Sequence, residues 1–109
     1  MPDARTLYKS AFDLFVKGDD GRAIELYRES LTVDPGLAIA WNGLALALAR
    51  RGDLDAAIDA GRRLVELEPE DPLSHTNLSR LLQKKGLIPE AETEKAVAMR
   101  LQMAAADQG

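Results

Sequence analysis

The feature that most constrains this chain is a period. Gly18, Gly52 and Gly86 stand 34 residues apart, as do Ala23, Ala57 and Ala91, and Leu14, Leu48 and Leu82. Pro35 and Pro69 keep the same step. Several residue types sharing one interval mark a stack of repeated supersecondary units, and a period of this length with two helical halves is a helix-turn-helix unit. Three such units fill nearly all of the 109 residues, so the chain holds one domain.

Within each unit the pattern alternates between apolar stripes at helical spacing and breaker residues. The first repeat, residues 4–37, places Leu7, Ala11 and Leu14 on one face of a helix over 4–17. Gly18 ends that helix, because glycine accepts the positive φ of a helix stop. A second helix over 21–33 turns Ala23, Ile24, Tyr27 and Leu31 inward and stops at Asp34-Pro35-Gly36. The second repeat, residues 38–71, presents Trp41, Leu44, Ala45 and Leu48, then Ala57, Ile58, Leu64 and Leu67, on helices over 38–51 and 55–67. Gly61 falls mid-helix, at a cost of about 1 kcal/mol against Ala. Its placement predicts close approach by a neighbouring helix. The third repeat, residues 72–105, starts at Asp71-Pro72, an N-cap followed by a first-turn proline. Its helices over 72–85 and 89–105 present Leu78 and Leu82, then Ala91, Ala98, Met99 and Leu101. Residues 106–109 are expected to fray. Lys17, Arg51 and Lys85 each precede a turn glycine, where a cation favours the helix C-terminus by about 0.3–1 kcal/mol.

These positions resemble the tetratricopeptide repeat family over nearly the whole chain. Its signature is a Trp, a Leu, a small residue, an aromatic, an Ala, an aromatic, an Ala and a Pro. The second repeat answers with Trp41, Leu44, Ala45, Leu48, Ala57, Gly61, Leu64 and Pro69. Departures gather in the third, where Lys95 and Met103 replace an aromatic and the proline. A terminal unit with one solvated side tolerates such changes. The resemblance implies an all-α, right-handed superhelix of six helices, with a concave groove lined by the first helix of each repeat.

Carried onto this chain, the groove positions that matter are Tyr8, Phe12, Asn42, Leu46, Arg50, Thr76, Arg80 and Lys84. Tyr8, Phe12 and Phe15 form an aromatic line expected to be exposed, Asn42 would bond partner backbone, and the cations would read acidic groups. The expected partner is a protein segment carrying apolar and acidic residues. Relatives that grip the acidic tails of heat-shock chaperones use a clamp of Lys, Asn, Asn, Lys and Arg. Tyr8, Phe12, Gly43, Leu73 and Asn77 stand at those positions, so that clamp is absent. The competing expectation is self-association: Val97, Met99, Leu101 and Met103 give the last helix an apolar face, and methionine-rich faces adapt to partners. A homodimer through that helix would make assembly the primary role.

Other classes find no support. A net charge of −4 lacks the basic footprint of a nucleic-acid binder. There is no Cys and one His, so no ordinary zinc site can form. His75 replaces Trp41 one period on and is expected to pack at an inter-helix edge. Ser74 and Ser79 have no spaced base, and the glycines stand singly, without a phosphate-cradling loop. The reading is therefore no enzyme and no cofactor. The first residues lack a signal-peptide pattern and no apolar run could span a bilayer, which predicts a soluble, cytoplasmic protein without membrane insertion.

Overall fold

The computed structural model describes residues 2–108. Six helices follow one another: α1 (Ala4–Val16), α2 (Asp20–Val33), α3 (Ala38–Arg50), α4 (Leu54–Leu67), α5 (Pro72–Lys85) and α6 (Ile88–Gln108). They pair as three antiparallel hairpins, α1 with α2, α3 with α4 and α5 with α6. The hairpins stack so that α2 meets α3 and α4 meets α5.

The sequence period becomes a geometric one at the turns. Gly18, Gly52 and Gly86 all adopt φ of 87–88°. After each, the chain closes the same hydrogen bond: Asp19 N–H to the Leu14 carbonyl, Asp53 N–H to that of Leu48 and Leu87 N–H to that of Leu82, all 2.9 Å. This is the Schellman stop, in which a left-handed residue lets a later N–H reach back over the helix end. The next helix starts at once. Asp19 and Asp53 are N-caps, accepting from the backbone N–H of Arg22 and Ala56, so α2 and α4 each begin one residue earlier than the sequence pattern suggested.

Small residues run down the seams. Ala11, Ala23, Ala40, Ala47, Ala57 and Ala91 are wholly buried. They let helix backbones approach closely while Leu44, Leu48, Leu78 and Leu82 fill the space between hairpins. Gly61 serves the close approach expected of it. A Cβ there would stand 3.2 Å from Leu81 Cδ1 and 3.3 Å from Leu78 Cδ1. At the first junction the scheme is reversed in size: Tyr27, 1% exposed, fills the gap over Gly43, where a Cβ would fall 2.5 Å from its ring.

Three expectations need correction. Leu67 and Met99 are exposed, not core. α6 runs through Gln108, so Ala106, Asp107 and Gln108 are helical where a frayed tail was expected, while Gly109 lies outside the described residues. The cause is local: Met103 replaces the proline that stops α2 and α4, and the alanines after it are the strongest helix formers. The aromatic line is also incompletely open, because Tyr8 and Phe15 are both half-buried and only Phe12 is exposed.

His75 does more than pack. Trp41 donates its indole N–H to the Pro35 carbonyl at 2.8 Å. One period on, His75 Nε2 lies 2.7 Å from the Pro69 carbonyl, and Nδ1 lies 2.8 Å from Glu94. Both rings tie the loop between hairpins to the following helix.

The outward side of α6 differs from its counterparts. Ile24 and Ile58 are buried by the hairpin that follows them, whereas Glu92 occupies that position in α6 and is exposed. Lys95 likewise stands, exposed, where α2 has Tyr27 and α4 has Gly61. Charged residues there suit a solvated surface.

Candidate partner-binding groove

The first helices of the hairpins carry side chains that the stack does not bury. At successive levels along α1, α3 and α5 these are Tyr8, Asn42 and Thr76; Phe12, Leu46 and Arg80; and Val16, Arg50 and Lys84. α3 and α5 are held apart by α4, which packs against both, and a furrow runs between them.

One half of the furrow is a cleft of about 370 Å³. Ala45, Leu46 and Ala49 form one wall, Asn77, Arg80, Leu81 and Lys84 the other, Gly61 and Leu64 of α4 the floor, and Phe15 and Arg50 close one end. Five of the eight expected residues therefore converge: Asn42, Leu46, Arg50, Arg80 and Lys84. Tyr8, Phe12 and Thr76 do not line it. Tyr8 instead stacks on Phe12 with ring centroids 6.2 Å apart and leans on Tyr27 at 5.9 Å. Burial pushes the Tyr27 hydroxyl up to about 12, and the nearby Tyr8 adds to the effect.

The three cations are not equivalent. Arg50, expected to read acidic groups, is held internally. Its Nε lies 2.9 Å from each carboxylate oxygen of Asp20. Its Nη2 also donates to Asp20 and to the Phe15 carbonyl, and the guanidinium sits 3.8 Å over the Phe15 ring. Hydrogen bonding from Arg50 holds the Asp20 carboxyl below the usual carboxylate range. This strut fixes the end wall of the cleft and neutralises the charge. Arg80 and Lys84 are exposed, and among the described residues neither has a carboxylate within ion-pair distance. Among the described residues no carboxylate lines this cleft.

The cleft opens into a second, of about 380 Å³, through the shared residues Asn42, Leu64 and Asn77. Ala38, Ile39, Leu73 and Ser74 line it together with Glu68 and Asp71. Where the two meet, Asn77 Nδ2 donates to Asn42 Oδ1 at 3.1 Å. Asn77 was not among the expected binding residues. It stands 35 residues after Asn42, one step off the period, because its side chain reaches back across the furrow to the previous hairpin.

No group of His, Cys, Asp or Glu among the described residues could hold a metal ion. No helix of the described residues is long and apolar enough to cross a membrane.

Solved structures with this arrangement are numerous. MamA superposes with a TM-score of 0.91 at 21% identity, over 96% of this chain and 61% of its own. The second TPR domain of Spaghetti (RPAP3), solved with the HSP90 peptide SRMEEVD, gives 0.84 at 18%, over 91% of this chain and 92% of its own. The Yersinia enterocolitica type III secretion chaperone SycD, solved with a peptide of the translocator YopD, gives 0.83 at 23%, over 89% and 74%. The chain thus spans about three fifths of the length of MamA. At these identities the likeness is one of fold. No curated protein matches by sequence. The tetratricopeptide repeat model, however, matches residues 8–75, more than half of the chain. With three hairpins on one period, the same turn closed three times and this family model across the first two junctions, the chain belongs to the tetratricopeptide repeat family.

Proposed function

We propose that the chain is a non-catalytic, cytoplasmic interaction module that holds a segment of another protein in the furrow between α3 and α5. The observation that carries this reading is the pairing of an apolar cleft with Arg80 and Lys84, two cations with no carboxylate partner among the described residues, in a chain of net charge −4. Apolar floor beside free positive charge suits a segment with aliphatic anchors and carboxylates. Relatives of the same fold were solved with bound peptides, which supports peptide capture as the class of activity. The chaperone-tail clamp residues are replaced here by Tyr8, Phe12, Gly43, Leu73 and Asn77, so the bound sequence differs from such tails.

A random peptide library displayed on phage tests the reading. Selection on the immobilised protein is expected to enrich peptides combining aliphatic residues with Asp or Glu. Enrichment of basic peptides, or no enrichment over a Leu46→Arg variant whose cleft is obstructed, would overturn it.

The exposure of Met99 and Met103, 53% and 65%, favours a second reading, a homodimer through α6. Glu92 and Lys95 interrupt the apolar surface nearby. Light scattering over about a hundredfold range of concentration is therefore expected to return the 11.9 kDa monomer throughout. A rise toward twice that mass would put assembly first.

A further inference from the structure

The furrow has poles. Beyond Arg50, which Asp20 neutralises, one end carries Arg80 and Lys84. The other end carries Glu68 and Asp71. Between them lie Leu46, Leu64, Ile39 and Leu73 and the bonded pair of asparagines. The cationic end coincides with the C-terminal ends of α3 and α5.

We propose that the furrow receives an amphipathic α-helix of the partner, antiparallel to α3 and α5, its acidic first turn over Arg80 and Lys84 and its basic last turn over Glu68. This rests on the groove reading above and adds conformation and direction to it.

Two physical arguments select this occupant. The first is backbone accounting. Both walls are helices whose N–H and C=O groups are already bonded within themselves. An extended segment would have to satisfy its own backbone from scattered side chains, the Asn42 and Asn77 amides at the centre, or from water, whereas a helix satisfies its backbone internally. The second is charge order. Helices favour carboxylates in the first turn and cations in the last, because of their dipole. Such a helix meets the poles of this furrow in register only when its N-terminus lies over Arg80 and Lys84. The opposite order would set the occupant's charges against its own dipole or against the furrow. α3 has 13 residues, hence a length of about 20 Å, so an occupant of about four turns spans the furrow. Gly61, Ala45 and Ala49 keep the floor and wall low enough for close approach.

Two hydrocarbon-stapled, fluorescein-labelled peptides of about 14 residues provide the test. They share one composition and one Leu/Ile stripe. The first has Glu in its first turn and Lys in its last, and the second has the order reversed. Stapling holds both helical, so the comparison reads the furrow rather than peptide helicity. Fluorescence anisotropy is expected to show the first binding about tenfold tighter or better, from several exposed charge contacts acting together. The preference is expected to reverse on a Glu68→Lys, Arg80→Glu, Lys84→Glu triple variant. A nitroxide at the N-terminus of the first peptide is expected to broaden the amide signals of Ala49 and Lys84, and not those of Ile39 and Leu73.

Equal affinities, or broadening at Ile39 and Leu73, overturn the direction while leaving groove binding standing. An unstapled peptide with a central proline that binds as well as the first overturns the helical occupant. Failure of both stapled peptides, with library peptides still captured, also overturns this proposal alone. Failure of stapled and library peptides together overturns the groove reading itself.

Discussion

Replacing Arg80 and Lys84 together by glutamate is expected to abolish capture of library-selected acidic peptides while leaving the helical signal intact. Both side chains are exposed on the rim of the cleft and lack internal carboxylate partners among the described residues. Reversing each charge removes an attraction and installs a repulsion. Exposed ion pairs contribute about 0.2–1 kcal/mol apiece, so the double reversal shifts binding by about 1–4 kcal/mol, or roughly five- to several-hundredfold. Arg, Lys and Glu have similar helix propensities. Glu at position 84 does oppose the dipole at the end of α5, at about 0.3–1 kcal/mol, too little to unfold a domain. Circular dichroism checks that point, and anisotropy titration at two salt concentrations checks the rest. Unchanged affinity would remove the electrostatic half of the proposed function. By the same reasoning Arg50→Glu is a poor probe, because it breaks the strut to Asp20 and Phe15 and moves the end wall.

Tyr27→Ala is expected to destabilise the fold by about 3–5 kcal/mol, the range of large aromatic truncations in closed cores. The ring is 1% exposed and lies against the backbone of Gly43, too close to leave room for a side chain there. It also supports Tyr8. Gly43 has no side chain with which to fill the void. Against the roughly 5–15 kcal/mol of a typical domain the loss is severe. It falls on one junction, because stacked hairpins touch only their neighbours. Urea unfolding followed by circular dichroism measures it, and a loss under about 1 kcal/mol would show that the junction repacks.

Much of this architecture is legible from sequence because its causes are local and periodic. Gly18, Gly52 and Gly86 specify turns by themselves, and Asp71 followed by Pro72 specifies the next helix start without reference to distant residues. The inward stripe of α2, from Ala23 to Leu31, follows from helical spacing alone. The inner row was legible as a row, since the hairpins repeat and the row repeats with them, although Tyr8, Phe12 and Thr76 of that row do not line the cleft. What each side chain does there was less so. Arg50 reads as a free cation until Asp20, 30 residues earlier and off the period, is seen beside it. Tyr8 reads as exposed until Tyr27 is seen under it. Asn77 escapes notice because its partner lies 35 residues away. Arg50 with Asp20 and Asn77 with Asn42 are pairings between different hairpins, and Tyr8 with Tyr27 is one between the two helices of a single hairpin; a period describes units, not the contacts that arise between unlike positions. Leu67 and Met99 fail for a related reason: Leu67 continues its stripe to the very end of α4, and Met99 stands two periods after the buried Leu31 but on a helix that no hairpin of the described residues follows.

The indole of Trp41 is hydrogen-bonded to Pro35 and neighboured by Arg63 at 5.9 Å. It borders shallow hollows with Arg28 and Leu44 that share no residue with the cleft between α3 and α5. As the chain's sole tryptophan, it makes intrinsic emission a gauge of whether the first two hairpins are seated on one another. The same emission is blind to cargo between α3 and α5. Tryptophan emission will thus follow melting of this protein and not occupancy, and a reporter of loading belongs on the other face of α3, beside Leu46.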